Sequence, residues 1–287
     1  MKKNPFDHSK SELNWSKQDI EQRFAFSGGR YTTVNNFFCF IIAAICTVAF
    51  FTTLSVGLRQ LPQAKYFCDM FLERGVIQYM TTFFFFWSLA ILWVKSMKLG
   101  LQRSALRLKP VPVDPDFILN RETSREVLLN LRGAVDNTSH FVLFNRIDRA
   151  LSNLQNIGQI SDVSDILSTQ AEYDEDQLAS SYTLVNGFLW AIPVFGFIGT
   201  VMGLSRAIGS FGITLQSAGD ISTLKTSLQA VTGGLAVAFE TTLVALVCAL
   251  IVQLLLSWTQ GKEAHFLDEC NDYCHSNIAS KLKLVEN

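Results

Sequence analysis

Charge is missing from four long stretches of the chain. No residue between Arg30 and Arg59 is charged, none between Arg74 and Lys95, and none between Asp176 and Arg206. Between Lys225 and Lys262 only Glu240 is charged. About 20 apolar residues are enough to cross a ~30 Å hydrocarbon core. The pattern therefore predicts four membrane-spanning helices, at about 35–57, 76–95, 184–205 and 229–256. Four such windows in one chain favour a membrane protein over a soluble one with deeply buried helices.

The segments between them read differently. The loop 58–79 is too short to form a domain. In the second span, TTFFFFWSLAILWV (81–94), four consecutive phenylalanines cover every side of a helix, so part of it meets lipid. The basic run Lys95, Lys98, Arg103, Arg107 and Lys109 follows, and reads as interface anchors. VPVDPD (111–116) breaks the chain with two prolines. Beyond it, NRETSREVLLNLRGAV and SHFVLFNRIDRALSNLQ carry apolar residues at helical spacing, and 162–178 forms a third, acidic helix. Arg121, Arg125, Arg132, Arg146 and Arg149 on these helices read as a solvated face.

Composition agrees with this layout. The chain is 49% hydrophobic and 17% charged, against about 25% charged in soluble domains. Residues 1–30 hold six basic and four acidic residues and no apolar core, unlike a signal peptide, so the first span is expected to be a retained anchor. Lys and Arg number six in the N-terminal tail, ten in 95–176 and three in the C-terminal tail, against three and two in the short loops. By the positive-inside rule both termini and the 95–176 region are expected in the cytoplasm. A net charge of −1 gives no case for nucleic-acid binding. Cys39, Cys46 and Cys248 fall in apolar spans as small packing residues, and Cys68 stands alone in an outer loop. Cys270 and Cys274, near His265 and His275, lack any recognised zinc spacing, so no metal or other cofactor is expected. No nucleotide loop or hydrolase motif occurs, and the chain does not read as an enzyme.

The chemistry lies in the last two spans. In AIPVFGFIGTVMGLSRAIG, Gly196, Gly199, Thr200 and Gly203 fall on one helical stripe, where small residues let helices approach closely in a bilayer. Pro193, near its start, is a candidate hinge. In the fourth span Gly233 and Glu240 share a face, Gly234 follows Gly233, and Thr232 lies about 80° from Glu240 and about 12 Å away along the axis. A carboxylate inside such a segment is costly and faces protein or water. Thr241 and Thr242 follow it directly.

PVFGFIGTVMGL (193–204), an outer turn, and LKTSLQAVTGGLAVAFETTLVAL (224–246) resemble the core of the MotA/TolQ/ExbB proton-channel family. That family's pattern is a P-x-x-G-x-x-G-T-x-x-G helix followed by a helix with a threonine before a Gly-Leu pair. The resemblance covers about 180–260. The four-span layout is more like the flagellar-stator branch than the three-span TolQ and ExbB branch. Thr232 stands two residues before Gly234, where the family threonine often stands three before. Phe239 and Glu240 stand where the TolQ/ExbB branch commonly has Ile-Pro.

The resemblance implies a bacterial inner-membrane homopentamer around two copies of a smaller single-span partner, similar to MotB, TolR or ExbD, that carries a membrane Asp. Proton flow would rotate the pentamer around that dimer. By the same resemblance Thr200, Thr232, Thr241 and Glu240 are ion-path candidates, and Gly196, Gly199, Gly203, Gly233 and Gly234 are helix-packing positions. The expected fold is an all-α integral membrane protein, four transmembrane helices with a small helical cytoplasmic domain between spans two and three. Its divisions are a cytoplasmic segment 1–34, spans one and two with a periplasmic loop in 35–97, and the helical domain 98–180. The channel-family core in 181–260 and a cytoplasmic C-terminal helix in 261–287 complete it. The rival readings are a membrane scaffold, where the glycines only pack helices, and a self-contained ion channel or transporter using Glu240 directly.

Overall fold

A computed structural model describes residues 13–111, 117–156, 160–217 and 221–282. Over these residues the regular secondary structure is helical, apart from two isolated bridges, Leu13 with Val135 and Leu119 with Leu282. The proline break at 111–116 lies, except for Val111, outside the described residues. Four helical stretches are long and apolar enough to cross a membrane: Asn36–Gly57, Val76–Arg107, Val163–Gly209 and Lys225–Lys281. They contain the four stretches picked out by the charge pattern.

The chain divides into two compact units. The first combines Met1–Phe38, Trp93–Tyr182 and Trp258–Asn287. Two short helices open it, α1 (Trp15–Gln18) and α2 (Ile20–Arg23). The second unit combines Cys39–Leu92 and Thr183–Ser257. It holds most of α3 (Asn36–Thr52), which runs on through a π-turn at Thr53–Gly57 and a 3-10 turn at Leu58–Gln60, and α4 (Lys65–Leu72). Gly75, at φ +88°, turns the chain from α4 into α5 (Val76–Arg107), a conformation that L side chains rarely adopt.

In this second unit several hydroxyls bond inside their own helices. Thr47 donates to the Ala43 carbonyl at 2.7 Å, Thr82 to Gln78 at 2.8 Å and Ser88 to Phe84 at 2.9 Å. The alternative is an unpaired polar group in hydrocarbon. The four phenylalanines of α5 radiate to different neighbours. Phe83 meets Phe40 at 5.4 Å between ring centroids, Phe84 meets Phe188 at 5.0 Å, and Phe86 meets Phe50 at 5.6 Å.

Three further helices belong to the first unit: α6 (Arg121–Ala134), α7 (Val142–Asn156) and α8 (Ile160–Ser180). A capping box starts α6. Asn120 Oδ1 accepts the Thr123 N–H at 2.9 Å and Thr123 Oγ1 accepts the Asn120 N–H at 2.8 Å. Gln102 starts α7, accepting the Val142 N–H at 3.0 Å and donating to the His140 carbonyl at 2.7 Å. The apolar core includes Trp15, Leu131, Phe141, Phe144, Ile147 and Phe266. Cys270, Cys274 and Ile278, from the end of the last helix, join it.

Arg125, Arg132 and Arg149 are exposed, as are Arg107 and Lys109, but Lys95, Lys98 and Arg146 are buried, against the expectation of interface anchors and a solvated face. Lys95 is fully buried, 2.8 Å from Ser181 Oγ and 3.4 Å from Glu263 Oε1, with its ammonium 4.0 Å over the Tyr182 ring. Tyr182 donates to the other Glu263 oxygen. Lys98 is buried against Glu21 and Asp19. Arg146 is buried with Asp174 at 2.6 Å. A buried charge persists only when paired, and each of these cations meets a carboxylate supplied from a distant part of the chain. The helical pattern alone reads them as surface positions because their partners are remote in sequence.

Candidate functional site

The last two helices are α9 (Thr183–Ser217) and α10 (Ile221–Asn277). Pro193 sits inside α9, which continues through it. Within the second unit the two helices pack antiparallel through small residues. A Cβ added to Gly196 would lie 2.6 Å from Ala245 Cβ, one at Gly199 would lie 2.6 Å from Thr241 Oγ1, and one at Gly203 would lie 2.9 Å from the Gly234 carbonyl oxygen. At Gly234 the added atom would lie 2.6 Å from Ala207 Cβ. Gly233, by contrast, has open space around it.

Hydroxyls gather in this seam. Thr200 Oγ1 is within 3.2 Å of the Gly196 and Ala238 carbonyls and hydrogen-bonds Thr242 Oγ1. Thr242 Oγ1 donates to the Gly196 carbonyl at 3.0 Å and lies 3.2 Å from the Ala238 carbonyl. Thr241 is buried beside Gly199 and donates to Ala238 at 3.0 Å. Three threonines from two helices thus share two backbone carbonyls between otherwise apolar helices.

Glu240 faces elsewhere. Its two oxygens are taken by the segment between α3 and α5. Arg74 Nε donates to Oε2 at 2.6 Å and Tyr66 Oη to Oε1 at 3.0 Å. The hydrogen bond to Glu240 and its charge hold the Tyr66 hydroxyl above its ordinary range. One turn on, Val244 packs with Leu54, Cys68 and Phe71, and Cys248 lies against the same cluster. So α10 presents Glu240, Val244 and Cys248 to α4, and Gly234, Ala238, Thr241 and Ala245 to α9. By the 3.6-residue repeat these are adjoining arcs, with Glu240 about 100° or more from every residue of the α9-facing set.

Thr232 falls on a third. It is exposed, bonds only to its own helix (Leu228 and Gln229 carbonyls, both 3.0 Å), and belongs to a free stripe with Leu235, Phe239, Leu243, Leu246 and Leu250. Thr200 meets Thr242 and not Thr232, which is ten residues or about 15 Å further along α10. The predicted ion-path residues are therefore distributed over three faces.

Sequence reasoning passed over Thr242, Arg74 and Tyr66 as site residues. The run Gly234, Ala238, Thr242 at four-residue spacing marks Thr242 as part of a packing stripe. For Glu240, the need for a cation and the short list Arg59, Lys65 and Arg74 in the outer loop were the available signal. Cys270 and Cys274 are buried packing residues, and among the described residues no group of three or more His, Cys, Asp or Glu is placed to hold a metal.

Four helices long and apolar enough to cross a membrane, two of them packed through glycines around shared hydroxyls, fit a polytopic helical membrane protein. Residues 138–271 match the model of the MotA/TolQ/ExbB proton channel family, slightly less than half of the chain. The matched stretch runs from the turn before α7 through α9 and most of α10. Comparison with curated proteins and with solved structures yields no match.

Proposed function

We propose that the chain is the channel subunit of an inner-membrane rotary motor driven by proton or other ion flow. Five copies surround a dimer of single-span partners of the MotB, ExbD or TolR kind, each carrying a membrane Asp as the main ion acceptor. Both termini and the helices between spans two and three face the cytoplasm, as the Lys and Arg distribution favours. The observation that carries this reading is the coincidence of the family match with α9 and α10, whose small residues pack inward and whose large apolar residues face outward. The free α10 stripe with Thr232 is the surface offered to further helices. The Thr200, Thr241 and Thr242 hydroxyls are the polar groups a transferred ion meets in the seam. Glu240, neutralised by Arg74, sets the local charge.

Co-expression with a neighbouring gene for a short single-span protein, followed by native mass spectrometry, tests the assembly. Five copies with two partner chains are expected, and a monomer or dimer as the sole species would remove the reading. Thr200→Val keeps side-chain shape and deletes a hydroxyl, and it should preserve the assembly while sharply lowering proton flux in liposomes. One observation favours the scaffold instead: the Thr200 and Thr242 hydroxyls are satisfied within the seam. If Thr200→Val is silent and Gly199→Leu blocks assembly, the seam only packs helices.

A further inference from the structure

The first unit buries an unequal set of charges. Lys98 Nζ lies 2.6 Å from Glu21 Oε2, 2.7 Å from the Thr33 carbonyl and 3.8 Å from Asp19 Oδ2. All three ionisable side chains are almost wholly removed from solvent. Two carboxylates thus share one ammonium. Glu21 is well served, because its second oxygen also accepts the Asn35 N–H at 2.7 Å. Asp19 is not. Among the described residues neither of its oxygens completes a hydrogen bond, and at 3.8 Å Lys98 is too far to make one.

The Glu21 N–H also faces Asp19 and pulls its carboxyl down, but completes no hydrogen bond to it. Trp15 Nε1 and His140 Nδ1 also lack hydrogen-bond partners, and the two rings stack at 5.5 Å. The groups facing Asp19 are Lys98 from α5, Glu21 from α2 and His140 from the turn Thr138–His140. His140 is itself faced by Asp136, Arg30 and Lys98. An unpaired buried carboxylate is costly, and taking up a proton removes that cost.

We propose that the Asp19–Glu21–Lys98 triad is a proton-binding site that fastens the N-terminal segment, residues 13–35, to α5 when Asp19 carries the proton. One proton makes the triad neutral, with Glu21 and Lys98 paired and Asp19 uncharged. Loss of that proton leaves one buried carboxylate without a counter-ion and loosens the segment.

The direction in pH follows. Burial, with Glu21 beside it, raises Asp19 from its ordinary 3.8 against the pull of Lys98. A raised carboxylate stabilises fully below the unfolded value, and the contribution is lost as pH rises through the folded one. The neighbours act oppositely. For Asp136, burial is outweighed by the Trp15 and Ser16 N–H groups, so its carboxyl is held below 3.8 and its contribution is lost as pH falls. Burial lowers His140 from 6.5, so its contribution also fades with falling pH. Rising pH therefore isolates Asp19.

Hydrogen exchange of residues 13–35 in the full chain in detergent, expressed as protection factors, tests this. Protection in the unaltered protein should fall as pH rises above 3.8, by up to about tenfold per pH unit while Asp19 titrates. Asp19→Asn, a permanently neutral side chain of the same shape, should abolish that fall. Superimposable profiles for the two proteins overturn the proposal, as does an unaltered profile that is flat. Should Asp19→Asn fail to fold, Glu21→Gln gives Lys98 to Asp19 alone and should move the loss of protection to lower pH. An unmoved profile in that variant overturns the proposal equally.

Discussion

The two units are built inside out relative to one another. In the unit of Cys39–Leu92 and Thr183–Ser257, glycines, alanines and threonines occupy the α9–α10 seam, while Trp190, Phe197, Phe239, Leu243 and Leu250 are exposed. In the other unit, Trp15, Leu131, Phe141, Phe144 and Ile147 are buried and make its core. The difference follows from the medium each composition suits. Lipid tails are as apolar as leucine, so hydrophobicity does not drive helices together there, and close approach through small residues does. In water the large apolar side chains are the ones removed from solvent. Ion pairs follow the same division, with Lys95–Glu263, Lys98–Glu21 and Arg146–Asp174 all buried in the first unit.

The strongest test of this contrast removes a buried charge from the first unit. Lys95→Met strands Glu263, and breaking a buried pair costs about 3–5 kcal/mol. Thermal unfolding of the purified protein should reveal a large loss, much of it recovered in Lys95→Met/Glu263→Gln, where no uncompensated charge remains. A neutral single variant would show that the pair does not hold this unit together.

The seam gives the next largest effect. Gly203→Leu drives a side chain into the Gly234 carbonyl and Ala238, and overpacking of this kind costs about 1–3 kcal/mol or more. Gly233→Leu, with open space around it, should leave folded yield in detergent near normal. Equal damage from both would erase the distinction between the seam and the free face of α10.

What was legible in the sequence differs between the units for the same reason. Charge-free windows mark membrane helices directly, so the four spans were readable, as was the glycine pattern that carried the family resemblance. Which face of α10 each polar residue takes was not readable. Thr232, Glu240 and Thr241 lie within ten residues, yet they meet open surface, α4 and α9 respectively. Periodicity gives relative angles and leaves the absolute rotation to the neighbouring helices. Pairings such as Arg74 with Glu240 or Lys95 with Glu263 join residues more than 160 positions apart, and no local pattern encodes them.

The smallest expected effect concerns Glu240, the one carboxylate in the fourth apolar stretch. With Arg74 on one oxygen and Tyr66 on the other, it is already neutralised and hydrogen-bonded within its own unit. The pair is partly open to solvent, at 21% and 11% exposure for the two side chains, so breaking it should cost only about 1 kcal/mol. Glu240→Gln keeps shape and an acceptor for Tyr66 but cannot carry a proton. Because the geometry turns Glu240 away from the Thr200 and Thr242 hydroxyls, this variant should leave proton flux in liposomes close to normal. Arg74→Gln should behave alike, and the double variant should cost less than the sum of the singles, since both remove one interaction. A collapse of flux in Glu240→Gln with the assembly intact would mean that Arg74 releases the carboxylate during turnover. The α4-facing side of α10 would then belong to the ion path.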